Sequence, residues 1–231
     1  MALGPLLQSV DWNENMRDFA AQSEQMTILQ NGCRLISTWT HELLFYDRSN
    51  PANPFLQEMK ASLFTVPICI GLGLNKPAAA SLRTAVESAL YFSYFSTHPS
   101  ELTTLTRNKK YYTDKSKIID YHNSHTARFQ PMQETLGLLS MLNEWYGQIS
   151  AIIHGQIPGI WSEKSVASTK YDKKKAKHVA DEFNTAIKII NYWLIATVTL
   201  HTWEGLSSPA RQQFLKGLKP SQKVKLGLTV V

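Results

Sequence analysis

The chain has 231 residues, of which 43% are hydrophobic and 18% charged, with six tryptophans and nine tyrosines. That excludes a disordered polypeptide and supplies material for one sizeable core. Cys33 and Cys69 are the two cysteines, with no CxxC spacing for zinc or redox work, a pattern that suits a reducing cytoplasm. The net charge of +6 is unevenly placed: residues 1–60 hold four basic against seven acidic side chains, residues 107–128 six against two, 164–178 six against one, and 211–225 five against none. Such local positive surface attracts a phosphate backbone, RNA or DNA, or an acidic partner protein; a solvated face is the alternative. Asp11, Glu14 and Asp18 near the start read against a signal peptide, and polar residues break every apolar stretch before membrane-spanning length.

In chain order, Met26, Leu29, Ile36, Trp39 and Leu43–Leu44 recur near helical spacing and predict a helix over 22–47. Ser49-Asn50-Pro51-Ala52-Asn53-Pro54 predicts a turn, since proline fixes φ and removes a donor. A second helix is expected over 54–69. Gly71 and Gly73 then loosen the backbone. Asn75 is expected to cap a third helix, with Pro77 in its first turn and an end near residue 96, before His98-Pro99. Residues 99–130 are more polar and predict short helices around a loop. Pro131 is expected to open a helix through Leu136, Leu142, Trp145, Ile149 and Ile152 to His154, stopped by Gly155 and Pro158. A lysine-rich loop follows, then a helix over 176–203 carrying Val179, Phe183, Ile187, Ile190 and Trp193. After Ser207-Ser208-Pro209 come a short helix and a basic extension. No strand alternation supports a sheet. The expected fold is an all-α antiparallel bundle, with residues 1–205 as the main domain and 206–231 as a C-terminal extension.

Two helical stretches carry more polar chemistry than a core needs. Arg83 and Glu87 lie four residues apart on one helix face beside the stripe Leu82, Val86 and Leu90. They form either an ion pair that orients helices or a cationic group held ready for phosphate. His154 ends an apolar helix, where the dipole favours its protonated form, so it caps or it transfers protons. Tyr146, two turns earlier, and Gln148, less than two turns earlier, can help organise a pocket.

His122 and His125, near Asp120, share a helix face, but a metal site needs more ligands than these. With Arg128 beside them they read as polar contacts to a phosphate chain. Lys109, Lys110, Lys115 and Lys117 are expected to cluster with Lys173, Lys174 and Lys175, or to form a second surface nearby. There is no Walker A, GxGxxG, HExxH or GxSxG sequence, and no cofactor or metal is expected.

Leu82-Arg83-Thr84-Ala85-Val86-Glu87 resembles the Arg-x-x-x-Glu helix of the HEPN-like superfamily of prokaryotic toxin and antiviral proteins. Ile149-Ser150-Ala151-Ile152-Ile153-His154-Gly155 is similar to that superfamily's helix-ending histidine segment. The resemblance covers roughly residues 20–205. It implies a helical bundle, a homo-oligomer and, in ribonuclease members, a metal-independent endoribonuclease with an Arg-polar-x(4–6)-His arrangement in a dimer cleft. His154 matches that histidine. The arginine has no match, since none lies between Arg128 and His154, and Gln148 stands at a corresponding position. The resemblance thus implies either an enzyme using His154, Arg83 and Glu87, or a non-catalytic assembly or nucleic-acid-binding subunit that partners a separate effector.

Overall fold

A computed structural model describes residues 2–157, 159, 161 and 169–228. Among these residues there are thirteen helices and no strand. They are α1 (Leu3–Gln8), α2 (Trp12–Ala20), α3 (Ser23–Tyr46), α4 (Asn53–Gly71), α5 (Asn75–Phe95), α6 (Pro99–Arg107), α7 (Lys115–His125), α8 (Phe129–Leu136), α9 (Leu138–Ile153), α10 (Lys173–Thr197), α11 (Leu200–Gly205), α12 (Ser208–Phe214) and α13 (Pro220–Leu226). The all-helical expectation holds at this level. No helix among the described residues is long and apolar enough to cross a membrane. The expected stop at Pro158 and the basic residue Lys164 lie outside the described residues.

The long helices follow their apolar spacing, and the departures from expectation come from single residues. Asn75 does not cap α5: the N-cap is Leu74, and the Asn75 side chain turns back to donate to the Gly73 carbonyl. The helix expected from Pro131 starts at Phe129 and splits at Gly137, which adopts φ +62°. Only glycine takes that conformation freely, so one run of apolar spacing becomes two helices. The helix expected over 176–203 begins at Lys173, where Asp172 accepts from the Lys174 and Lys175 amides. It ends at Thr197, because Thr199 takes an extended conformation and caps α11 through the Thr202 amide.

The sequence places α5 centrally. Its Ala78, Ala79, Ala85 and Ala89 are buried, so neighbouring backbones can approach, and α4, α9 and α10 all pack against it. α3 closes the layer against α4 and α10. The segment after Leu206, expected as an extension, is built into the same core. Phe214 stacks on Trp39 with ring centroids 3.6 Å apart and planes within 7°. Asn191 ties the two: it accepts from Trp39 Nε1 at 2.8 Å and donates to the Phe214 carbonyl at 2.9 Å. Leu215, Leu218, Leu226 and Leu228 are buried with them.

Candidate active site

Lys76, Arg83 and Glu87 lie along one face of α5 at seven- and four-residue spacing, which superposes side chains on successive turns. α9 crosses beside α5 and presents Tyr146 and, at its C-cap, His154. The two motifs meet. Arg83 Nε donates to Glu87 Oε1 at 2.9 Å. Arg83 Nη2 donates to the Tyr146 hydroxyl at 2.7 Å, and that hydroxyl donates to Glu87 Oε1 at 2.5 Å. Arg83 Nη1 lies 3.3 Å from His154 Nε2. Guanidinium has no acceptor, so His154 Nε2 must accept and the imidazole proton sits on Nδ1. The exposed ring thus faces a permanent positive charge.

Glu87 and Tyr146 fix the guanidinium. Burial opposes the charge on Arg83, but the Glu87 carboxylate and the Tyr146 hydroxyl outweigh it and strengthen its hold on its proton. Burial, then the hydrogen bond and charge of Glu87, push Tyr146 up to about 12. Tyr146 is therefore a neutral strut at any working pH. Lys115 joins from the first turn of α7: its Nζ sits 4.7 Å from the centre of the Tyr146 ring and donates to Asn143 Oδ1 at 2.6 Å. Burial lowers its pKa. Lys76 completes the rim, with its Nζ 3.9 Å from where a Cβ on Gly155 would stand. Glu87 is engaged by Arg83 and Tyr146, so Arg83 beside His154, Lys76 beside Gly155 and Lys115 over the Tyr146 ring gather three cations where α5 meets the end of α9. Such a cluster can hold a phosphodiester oxygen and offer an imidazole next to it.

The other expected site residues go elsewhere. Lys117 pairs with Glu101 at 2.6 Å. Although burial works against the Glu101 carboxylate, hydrogen bonds from Lys117, Tyr111 and Tyr94 bring its pKa down to about 2. Arg128 donates to the Leu226 carbonyl and closes the end of α13. Lys109 and Lys110 occupy the connection from α6 to α7, and Lys173, Lys174 and Lys175 form the first turn of α10. His122 and His125 separate: His125 is exposed, whereas His122 is 2% exposed. His122 bridges Ser93 Oγ at 2.9 Å and Thr126 Oγ1 at 2.8 Å. It therefore lies out of reach of a phosphate chain. Among the described residues no group of three His, Cys, Asp or Glu side chains is arranged to hold a metal. Gln148 donates to Glu182 Oε1 at 3.1 Å, toward α10 rather than toward His154.

Lys76 was not singled out from the sequence, although its seven-residue spacing from Arg83 was the available signal. Lys115 was legible as basic but not as a neighbour of Tyr146, because that contact joins residues 31 positions apart across a helix pair. Compared with known proteins, the chain matches no family model, no curated sequence and no solved structure.

Proposed function

We propose that the chain is a HEPN-like component of a prokaryotic defence or toxin–antitoxin system, and that its Arg83–His154 site cleaves RNA without a metal. The observation that carries this reading is the 3.3 Å approach of Arg83 Nη1 to His154 Nε2, two residues 71 positions apart in the chain. An RNA phosphodiester arriving at the rim competes for Arg83 Nη1 with its non-bridging oxygen. His154 Nε2 is then released and takes the proton of the adjacent 2′-hydroxyl. The 2′-oxygen forms its bond to phosphorus, the bond to the 5′-oxygen breaks, and the leaving oxygen takes a proton from solvent. Arg83, held by Glu87 and Tyr146, stabilises the charge on the phosphorane, and Lys76 and Lys115 anchor flanking phosphates.

A second reading has its own support. The polar position that corresponds to the superfamily's arginine is Gln148, and it is engaged by Glu182. A subunit that binds a nucleic acid or an effector without cleaving fits that feature. One experiment separates the two: incubation of the purified chain with single-stranded RNA, alongside His154→Ala and Arg83→Ala. Cleavage should leave 2′,3′-cyclic phosphate ends and fall at least about 100-fold in each variant, as for loss of an acid–base or charge-stabilising group. Binding without cleavage supports the subunit reading, and cleavage unchanged by His154→Ala removes the assignment.

A further inference from the structure

The connection between α6 and α7 runs from Asn108 to Asp114, and its backbone is tied down along its length. Asn108 turns the chain back: its Oδ1 accepts from the Lys110 amide at 3.0 Å, and its carbonyl from the Tyr111 amide at 2.9 Å. The Tyr111 hydroxyl donates to Glu101 Oε2 at 2.6 Å. Thr113 is 2% exposed. Asp114 caps α7 by accepting from the Lys117 amide at 2.9 Å. Between the anchored residues Tyr111 and Thr113 stands Tyr112, 75% exposed. Its ring has no hydrogen bond or aromatic contact among the described residues. A single exposed ring is ordinary. This one sits on a fixed backbone, so only its own rotamer remains to be ordered when a ligand covers it.

The surroundings are cationic. Residues 107–115 carry Arg107, Lys109, Lys110 and Lys115 against Asp114 alone. Arg107, Lys109 and Lys110 are exposed and form no ion pair among the described residues. The Asp114 carboxylate is engaged at the start of α7 by the Ser116 hydroxyl and the Lys117 amide. Lys115 follows Tyr112 by three residues, a span of at most about 11 Å between Cα atoms. Its Nζ lies 4.7 Å from the centre of the Tyr146 ring, and the Arg83 guanidinium carbon lies 4.7 Å from the same ring. The connection therefore leads into the cations beside His154.

An acidic peptide would pair with the lysines but brings no flat face for the ring. A double helix brings phosphates but keeps its bases stacked on one another. An unpaired nucleotide brings both a free base and a phosphate, and aromatic rings set among cations are the means by which proteins hold single strands. We infer that Tyr112 stacks an unpaired base flanking the phosphodiester held at Arg83, while Lys109 and Lys110 hold that strand's phosphates. This role rests on the RNA cleavage proposed above and makes Tyr112 a substrate-binding residue that selects unpaired RNA.

The test is fluorescence anisotropy of the full chain with a labelled 2′-O-methyl RNA of about 12 nucleotides, within the size range of single-strand sites. This probe keeps its bases and phosphates but cannot be cut through its 2′-oxygen, so binding is read independently of cleavage. Tyr112→Ala should weaken binding by about fivefold or more, the loss expected for one stacked base. Tyr112→Phe should stay within about twofold of the native chain, because the ring and not the hydroxyl makes the contact. An abasic strand of the same length and a blunt duplex should each bind the native chain and Tyr112→Ala alike. The double variant Lys109→Gln, Lys110→Gln should weaken every probe and flatten the salt dependence. The inference is overturned by no binding of the single strand, by Tyr112→Ala binding as tightly as the native chain, by Tyr112→Phe binding as weakly as Tyr112→Ala, or by an equal loss on the abasic strand. Binding that depends on Tyr112 without cleavage of unmodified RNA keeps the stacking role and removes the cleavage reading. Cleavage that depends on His154, with kcat/KM unchanged in Tyr112→Ala, keeps the cleavage reading and overturns the stacking role.

Discussion

His122 gives the sharpest prediction about stability. Burial, reinforced by the charge of His98, lowers its pKa from the ordinary 6.5 to about 4. The side chain is 2% exposed and has polar partners on both ring nitrogens, so the neutral form is well accommodated and the cation is not. The folded-state pKa lies below the unfolded one. Stability is therefore complete above pH 6.5, falls as pH drops because the unfolded chain takes up the proton first, and levels off below about pH 4. A shift of this size corresponds to roughly 3 kcal/mol over the whole range and roughly 2 kcal/mol between pH 7.5 and pH 5. Urea unfolding followed by far-UV circular dichroism at those two pH values, for the native chain and for His122→Gln, isolates the contribution. The carboxylates and the exposed histidines titrate alike in both proteins and cancel in the difference. The variant is expected to be weaker at neutral pH but to lose about 2 kcal/mol less on acidification. Parallel losses in the two proteins, or an NMR titration of His122 centred near 6.5, would refute the assignment of this residue as a buried neutral histidine.

Two further substitutions test the packing. Phe214→Ala should cost about 3–5 kcal/mol, read as a large drop in the urea midpoint, because it removes a fully buried ring stacked on Trp39; a loss under about 1 kcal/mol would mean that the C-terminal segment is dispensable to the core. Gly32→Ala should destabilise the fold by about 1–3 kcal/mol, and so lower the melting temperature, despite alanine's better helix propensity, since the new Cβ would stand 2.4 Å from Phe183 Cε1 and 2.9 Å from Ile187 Cγ1. A rise in melting temperature would show that Phe183 yields.

Much of the helical order was readable because apolar spacing is a local property. α3 and α5 came out within a residue or two of expectation for that reason. Breaks were harder where one residue decides them: Gly137 and Thr199 interrupt apolar runs that otherwise continue across the break. The site was half legible. Arg83 with Glu87, and His154 at a helix end, each stand out within a few residues of sequence. Their meeting depends on how α9 crosses α5, which no local pattern encodes. His122 shows the opposite failure. Beside His125 and Arg128 it reads as part of a polar surface, yet α7 turns it inward onto Ser93, because the same face carries the buried Ile118.

α5 connects these observations. One face of it carries Lys76, Arg83 and Glu87, which α9 covers only in part, so Arg83 and Glu87 stay partly exposed. Its second half carries Ser88, Ser93, Phe92 and Phe95 into the interior, where α7 and α10 close over it and every polar atom needs a neutral partner. The two environments call for opposite chemistry in the histidines that face them. His154 is exposed beside a guanidinium fixed by Glu87 and Tyr146. His122, enclosed by Ser93, Thr126, Phe129 and Trp193, cannot gain a proton without burying an uncompensated charge. The RNA cleavage proposed for this chain therefore needs the first histidine, whereas the second is a polar pin between α5, α7 and α10.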